Sequence, residues 1–367
     1  MLNFFRATTF SVVRFVVVTT AITLCVSAMV AAKDKVIFDT DTAYFNDDGA
    51  ALVMLLQRQE QIDLLGVTVV VGNEWPIQGV EYMLHIAETL GADDLPFFIG
   101  ARSPLLLTRE RALYMDKEWG GINWLGAYRS PRPTNRSELR PPYGGQFAKA
   151  RPKRENAVQF IIDTVNAHPN EVTILALGPM TNIAMALRLA PEIETKIKRL
   201  VFMGGNVHVP GNVNAYAEFN FWFDPEAAHA AFSSDIPEKV MFGLDITNQA
   251  VFSKEHYDEL IRAQTPIARL VEQDFGHRHP GFEKNPEAKA HIWDCLAAGF
   301  LLDEKIVTNE ETLNLTVVTQ FGPEYGAVRK TQPHGVDGKP VRVMLKLDFE
   351  RFYAMYKESL TRPVKSR

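Results

Sequence analysis

The stretch Val36–Leu56, VIFDTDTAYFNDDGAALVMLL, decides the fold of this chain. It opens with the apolar, β-branched run of a buried strand and closes with an apolar run of helical length. Four carboxylates lie between them, on Asp39, Asp41, Asp47 and Asp48. Acids this close repel one another in a partly desolvated site unless a cation or a polar ligand compensates. Oxygen ligands without Cys or His suit a hard cation, calcium or magnesium.

The local pattern leaves a second interpretation open. An Asp-rich turn between a strand and a helix is also typical of a solvated loop, whose last acids interact with the positive amino terminus of the helix. Whether this turn binds a metal ion therefore depends on the rest of the chain.

Strand-like and helix-like segments alternate along the rest of the chain. Apolar, β-branched runs predict strands at Leu64–Asn73, Phe97–Ile99, Val172–Leu177, Leu200–Met203 and Val240–Phe242. Helical patterns separate most of these strands, as at Ile77–Leu90. The alternation predicts an α/β fold with a mainly parallel sheet covered by helices, and ligands that bind outside the carboxyl ends of the strands.

Residues 101–154 interrupt this rhythm. The segment is rich in Arg and Pro, including Pro131, Pro133, Pro141 and Pro142. A loop of this length inside a domain is typical of a lid over a site or of a disordered insert. We interpret it as a long loop or lid whose arginines are exposed to solvent.

Composition and charge limit the classes of partner. The chain has 367 residues, 46% of them hydrophobic, which is ordinary for a globular protein with a large core. Its formal net charge of -5 gives no electrostatic footprint for nucleic acid. A small neutral substrate is compatible with this charge.

The amino terminus has the pattern of a secretory signal peptide. Arg6 and Arg14 precede an apolar run, Phe15–Ala32, which ends in small residues suited to cleavage. We therefore predict a signal peptide over residues 1–32 and one mature domain over residues 33–367. The protein would be exported, periplasmic or secreted, with no membrane attachment after cleavage. An uncleaved membrane anchor is the alternative, since the run is only marginally long enough to span a bilayer.

Seven motifs, in order along the chain, resemble those of the inosine-uridine-preferring nucleoside hydrolase family. They are DTDTAYFNDD (39–48), VVVGN (69–73), ALGPMTNIA (176–184), VFMGGN (201–206), AEFNFWFDPEAA (217–228), GLDITNQA (243–250) and KLDFERF (346–352). The resemblance implies a single nucleoside-hydrolase-like α/β domain, with a mixed, mainly parallel central sheet flanked by helices. It also implies a Ca²⁺-centred pocket, hydrolysis of the N-glycosidic bond of ribonucleosides, and assembly into a homo-dimer or homo-tetramer.

The same resemblance implies a role for particular residues. The metal ligands would be Asp41, Asp48, Asp294 and the main-chain carbonyl of Leu177. Asp41 would also accept a proton from the attacking water as the general base. The ribose would contact Asp47, Asn73, Met203, Asn212, Glu218 and Asn220. Amide and carboxylate groups suit this task because their donors and acceptors can match vicinal hydroxyls.

The residue expected beside the nucleobase, which is the leaving group, differs from the residue found in part of the family. Many members that accept pyrimidines have a His just before the last metal-binding Asp, where this chain has Trp293. An indole cannot act as a general acid at neutral pH. Because the purine-specific branch also has a Trp there, the resemblance implies a preference for purines. In that branch a second Trp sandwiches the base, which assigns Trp119 to this role, with Trp124 as the alternative. Each stacked face contributes about 1–3 kcal/mol.

Two alternatives stay open at this point. The turn Ala43–Phe45 replaces the Gly-containing turn of many members, which is compatible with a non-catalytic ribose- or nucleoside-binding protein. The enzyme could also prefer pyrimidines or accept both classes of base, with His277, His279 or His291 as a proton donor.

Overall fold

The stretch Val36–Leu56 folds as a strand, a turn and a helix. The structure is a computed structural model, and it describes residues 33–142, 145–332 and 338–363. Strand β1 (Asp34–Thr40) is followed by helix α1 (Asn46–Leu56). Val36 and Phe38 of β1 belong to one hydrophobic core, and Ile37 belongs to a second. Both faces of the strand are therefore covered, as is typical of parallel strands in α/β proteins.

The remaining strands follow in chain order. They are β2 (Ile62–Val69), β3 (Phe97–Ile99), β4 (Val172–Ala176), β5 (Arg199–Met203), β6 (Lys239–Phe242), β7 (Val251–Ser253), β8 (Lys289–His291), β9 (Val307–Val317), β10 (Val328–Lys330) and β11 (Lys339–Leu347). Strands β1 to β6 confirm the six strands predicted from the sequence, except that β2 ends at Val69. Val70–Asn73 belong to the loop that follows.

The helices after α1 complete the layers. They are α2 (Pro76–Thr89), α3 (Arg109–Trp119), α4 (Ala157–Ala167), α5 (Thr181–Leu189), α6 (Phe219–Phe223), α7 (Pro225–Ser233), α8 (Leu244–Thr247), α9 (Lys254–Ile261), α10 (Pro266–Arg278), α11 (Trp293–Leu302) and α12 (Phe349–Thr361). Short 3-10 turns lie at Gly126–Arg129, Arg136–Glu138, Pro191–Lys196, Phe282–Lys284 and Glu304–Ile306. None of the described helices combines the length and apolar character that crossing a membrane requires.

A nine-stranded sheet organises the fold, in the order β10-β9-β11-β6-β5-β4-β1-β2-β3. All neighbours pair in parallel except β9, which is antiparallel to both β10 and β11. Helices α1, α2, α11 and α12 share one core, and α4, α5 and α7 share the core on the other face. The prediction of a mixed, mainly parallel sheet flanked by helices is confirmed. Strands β7 and β8 form a separate antiparallel pair.

The segment 101–154 is more ordered than the sequence suggested. It contains α3 and two of the 3-10 turns. Two of its arginines are partly exposed to solvent, as expected, but they also form ion pairs with the rest of the domain. Arg136 binds Glu81 at 2.7 Å, and Arg140 binds Glu74 at 2.6 Å. Because both carboxylates are buried, each needs a cationic partner, and the segment supplies it.

The predicted signal peptide, residues 1–32, lies outside the described residues. From Lys33 onward the described chain forms one compact unit.

Candidate active site

The carboxyl ends of neighbouring strands bring the polar residues together. Asp41 follows β1, Leu177 follows β4, and Met203 ends β5. Asn73 lies in the loop after β2. These ends surround a cavity of about 710 Å³, the position at which open α/β sheets bind ligands. All six residues predicted to contact ribose line it, namely Asp47, Asn73, Met203, Asn212, Glu218 and Asn220.

Two helix amino termini supply an acidic cluster at the floor of the cavity. Asp47 and Asp48 lie in the first turn of α1, and Asp294 lies in the first turn of α11. One carboxylate oxygen from each can be chosen so that all three lie within 4.8 Å of one another. The hydroxyl of Thr40 donates to Asp48, and the amide of Asp294 donates to Asp47 at 3.3 Å. The first turns of α1 and α11 therefore bring three acidic side chains close together.

The electrostatics of this cluster favour a bound cation. Burial raises the pKa of Asp48 and of Asp294 well above the usual range, and the neighbouring carboxylates raise both further. Burial also raises the pKa of Asp47, although Arg278 opposes this. A divalent cation would compensate the charge of these acids, and an all-oxygen donor set fits a hard cation. The residues present thus fit the metal that the sequence predicted.

Asp41 lies beside this cluster, in a tightly packed cradle. Its carboxylate accepts hydrogen bonds from the backbone amide of Asn73 at 2.7 Å and from the Asn73 side-chain amide at 3.3 Å. A Cβ at Gly72 would lie 2.0 Å from Asp41 Oδ2, and one at Gly178 would lie 2.7 Å from Asp41 Cβ. Burial raises the pKa of Asp41 to about 7, and the two Asn73 hydrogen bonds oppose that rise.

The predicted metal ligands divide into two groups. Asp48 and Asp294 meet in the cluster, together with Asp47, which the sequence had assigned to ribose instead. Asp41 is outside that group of three but close enough to raise the pKa of Asp48 and Asp294. The carbonyl of Leu177 lines the cavity and accepts a hydrogen bond from the Asn220 side chain at 3.2 Å.

The ribose-side residues are held by the backbone around them. Glu218 caps α6, where its carboxylate accepts from the amides of Asn220 at 2.9 Å and Phe221 at 3.2 Å. It also accepts from the amide of Gly205 at 2.8 Å. Burial raises the pKa of Glu218 to about 7. Asn220 donates to the Met203 carbonyl at 3.1 Å.

The two predicted stacking residues have different positions. Trp293 lines the cavity, and the ring of His291 stacks on it at 5.2 Å. The structure does not bring Trp119 to the cavity, since its ring packs against Tyr114 and Phe321 at the surface. The alternative, Trp124, does line it.

The chain path explains this difference between the two tryptophans. Trp119 is the last residue of α3, and Gly120 and Gly121 follow it with φ of 66° and 76°. This left-handed backbone favours glycine and ends the helix. Trp124 comes after this turn, where the chain reaches the cavity.

Several further residues of the cavity wall carried no clear sequence signal. Arg129 places its guanidinium 3.7 Å from the centre of the Trp124 ring. Tyr44 has φ of 73°, and its ring stacks with His277 at 6.0 Å. Arg140 also lines the cavity, beside its partner Glu74. The contacts of Tyr44 with His277 and of Arg140 with Glu74 join residues far apart in sequence, so the pattern of one chain could not reveal them.

Two acids support the site from outside. Asp39 accepts hydrogen bonds from Thr68 at 2.5 Å and from Asn182 at 2.6 Å, which ties β1 to β2 and α5. Asp245 accepts from the amides of Val207 at 2.8 Å and His208 at 2.7 Å, and so holds the loop after β5. Neither lines the cavity, so both act by holding the strands and loops around it.

Comparison with known proteins identifies the family. A sequence model for inosine-uridine preferring nucleoside hydrolases matches residues 36–354. This chain belongs to that family. Its predicted enzyme class, N-glycosyl hydrolase, is thereby confirmed.

Relatives of this nucleoside hydrolase differ in the bases that their names give. The pyrimidine-specific ribonucleoside hydrolase RihB of Escherichia coli strain SE11 is 30% identical over 91% of this chain and 99% of its own length. The purine-preferring ribonucleoside hydrolase of Gardnerella vaginalis has a TM-score of 0.69 at 25% identity, over 89% of this chain and 98% of that one. The plant nucleoside hydrolase PpNRh1 has a TM-score of 0.72 at 25% identity, over 90% and 100%.

Proposed function

We propose that this nucleoside hydrolase cleaves the N-glycosidic bond of ribonucleosides to free base and ribose, uses Ca²⁺, and favours purines. The observation that carries the proposal is the convergence of Asp47, Asp48 and Asp294 below a cavity whose wall contains Asp41's partner Asn73 and the indole of Trp293. A binding protein would have no need of a buried base beside a metal site.

Asp48 and Asp294 would hold the cation, together with Asp47 or Asp41 and the carbonyl of Leu177. Calcium accepts six to eight oxygen ligands in a flexible geometry, which suits a site built from carboxylates and a main-chain carbonyl. Bound there, a hard cation lowers the pKa of water in its shell and orients the ribose hydroxyls.

Asp41 is the group best placed to remove a proton from the attacking water. Burial raises its pKa to about 7, and a neighbouring divalent cation would lower that pKa again, so at neutral pH the carboxylate is able to accept a proton. Asn73 holds both of its oxygens through two donated hydrogen bonds, which fixes the direction of the carboxylate. Asn212, Glu218 and Asn220 line the same cavity with polar groups for the ribose hydroxyls.

The preference for purines rests on the two indoles in the cavity wall. Trp293 replaces a proton-donating His, and Trp124 supplies a second aromatic group. A purine gains more from stacking than a pyrimidine because its ring system is larger. The competing candidate is a pyrimidine-preferring or broad enzyme, favoured by the similarity to RihB and by the presence of His277, His279 and His291 in the wall.

Steady-state hydrolysis of inosine, guanosine, adenosine, uridine and cytidine tests this proposal. Ribose release is measured with calcium and with a chelator, for the wild type and for Asp41→Ala. The proposal expects chelator-sensitive turnover that is fastest with purines and at least about 100-fold slower in Asp41→Ala. Faster turnover of uridine and cytidine would establish the competing candidate. No turnover of any nucleoside by calcium-loaded protein would indicate a binding protein.

We also propose export and self-association. The sequence of residues 1–32 supports export, which cell fractionation with an antibody would test. A dimer or tetramer would give a sedimentation mass two or four times that of the mature chain, and a monomer at micromolar concentration would contradict it.

A further inference from the structure

Residues 123–129, here called the strap, fasten two loops of the site to each other. The amide of Asn123 donates to the Val213 carbonyl at 2.9 Å, and its side chain donates to the Asn212 carbonyl at 3.3 Å. At the other end of the strap, the amide of Ala127 donates to the Gly72 carbonyl at 2.8 Å. The strap therefore spans from the loop after β5 to the loop that carries Asn73.

The strap approaches the Asn73 loop so closely that only glycine fits. Gly126 has φ of 53°, and a Cβ there would lie 2.3 Å from the Gly72 carbonyl oxygen. This contact fixes the distance between the strap and the loop that carries Asn73. It also sets the position of Trp124, two residues earlier.

Trp124 uses its single polar atom to contact Asn73. The indole nitrogen donates a hydrogen bond to Asn73 Oδ1 at 2.9 Å. An indole N–H can only donate, so it selects the oxygen of the Asn73 amide and not the nitrogen. The Asn73 nitrogen is thereby directed to the other side, where it donates to Asp41 Oδ1 at 3.3 Å.

Arg129 holds the indole in this orientation. Its guanidinium lies 3.7 Å from the centre of the Trp124 ring, within the range of a cation–π interaction. Its Nε donates to the Gly126 carbonyl at 3.0 Å, so the cation is itself anchored to the strap. The indole is 38% exposed, and without this contact it could change rotamer at little cost.

We propose that Trp124 is a positioning residue for the hydrolysis reaction, which acts through Asn73 to orient the carboxylate of Asp41. The inference rests on the proposed function, in which Asp41 is the general base. A positioned base is worth more in the transition state than in the bound substrate. Loss of the indole N–H therefore lowers kcat, with little change in KM, and lowers it equally for every base.

A double-mutant cycle tests the proposal. Trp124→Phe keeps an aromatic ring and removes only the indole N–H, and it is combined with Asn73→Ala. Trp119→Phe is the matched control, because Trp119 belongs to the same segment but lies outside the cavity. kcat and KM are measured at saturating calcium on two nucleosides with different bases that the wild type hydrolyses. Thermal unfolding by circular dichroism verifies that each variant is folded.

Trp124→Phe is expected to lower kcat about tenfold on both nucleosides, with KM within about threefold of the wild type. In the Asn73→Ala background the same change is expected to lower kcat less than about twofold, because the two residues act as one unit. Trp119→Phe keeps wild-type kinetics.

Three results would overturn the proposal while leaving the proposed function intact. These are a kcat of Trp124→Phe equal to that of the control, an equal loss in the Asn73→Ala background, and a rise in KM confined to one base. The last would mean that Trp124 acts only by stacking on the base and not through Asn73. Absence of turnover by the wild type would remove the proposed function and this inference with it.

Discussion

Asp48 is fully buried, and its carboxylate shares a small volume with those of Asp47 and Asp294. Each of these acids has a pKa raised by burial, so the protein bears an electrostatic cost that a bound cation relieves. The same residues would therefore supply the ligands of a metal ion and the electrostatic reason to bind one. Single residues of this cluster offer the sharpest chemical tests.

Asp48→Asn is expected to abolish stoichiometric calcium binding. The substitution keeps the size of the side chain but removes one negative charge from the ligand set, and amide ligands bind hard cations more weakly. We expect ribose release to fall at least about 100-fold. Metal content after dialysis and hydrolysis of inosine are the measurements. Asp93→Asn, an exposed acid in the loop before β3, is the control, and an equal loss in both variants would contradict this role.

Trp293→Ala is expected to change base selectivity more than total activity. The indole lines the cavity with His291 stacked on it, so its loss removes one stacking face for the base. The change should cost about 1–3 kcal/mol in kcat/KM for purines and less for pyrimidines. Trp119→Ala, outside the cavity, should leave the ratio unchanged. Equal losses for inosine and uridine would contradict a stacking role.

Helix caps connect these residues to the elements that hold them. Asp224 caps α7, because its carboxylate accepts a hydrogen bond from the Ala227 amide at 3.1 Å. It also accepts from the Thr181 hydroxyl at 2.6 Å and from the Leu105 amide at 3.0 Å. One carboxylate therefore joins α7, α5 and the start of the segment 101–154.

Asp224→Asn is expected to destabilise the protein by about 1–3 kcal/mol at pH 5. In the variant an amide nitrogen, which is itself a donor, faces a group that donates a hydrogen bond to the carboxylate in the wild type. Burial raises the pKa of Asp224 from 3.8 to about 6. The unfolded chain thus ionises first as pH rises, and the wild type loses stability between pH 4 and pH 6 that the variant does not lose.

The difference in unfolding free energy between the wild type and Asp224→Asn should therefore decrease by about 1 kcal/mol between pH 5 and pH 7. Urea unfolding at fixed calcium concentration measures it, with Asp93→Asn as the control for pH effects unrelated to position 224. A difference that widens over this range would contradict the raised pKa.

Some elements were visible in the sequence and others were not. The strands β1 to β6 consist of apolar runs because both faces of the sheet are covered, and such runs are easy to recognise. Strand β9 has mostly exposed or half-exposed side chains with charged residues among them, so its hydrophobic signal is weak. The sequence did not indicate helix α3, because most of its residues are exposed and few of them are buried on an apolar face of the helix.

The acids of the proposed site could be predicted, but the wall of the cavity could not. Asp41 and Asp48 lie in the first family motif, between a recognisable strand and helix, and Asp294 follows Trp293 at the position that the resemblance assigned to a metal ligand. The contacts of Trp124 with Asn73 and Arg129 depend on the path of the strap. That path is set by Gly120 and Gly121 before the strap and by Gly126 within it, all with positive φ. Spacing alone could not decide between Trp119 and Trp124.

At the scale of the whole molecule, the proposed metal binding would stabilise the folded state. A ligand that binds only the folded state stabilises it by about 2.7 kcal/mol at 100 times its dissociation constant. We expect added calcium to raise the unfolding temperature of the calcium-depleted protein by about 5 °C or more. Differential scanning fluorimetry with calcium, and with Asp48→Asn beside the wild type, measures this. An equal rise in the variant would place the calcium elsewhere on the protein.

A calcium titration of ribose release from inosine by the calcium-depleted mature protein tests the proposed calcium-dependent hydrolysis most directly. We predict no turnover before calcium is added, and a saturable recovery with one calcium bound per chain in a parallel calorimetric titration. Turnover that persists at full rate in the chelated protein, with metal analysis showing no bound ion, would contradict it.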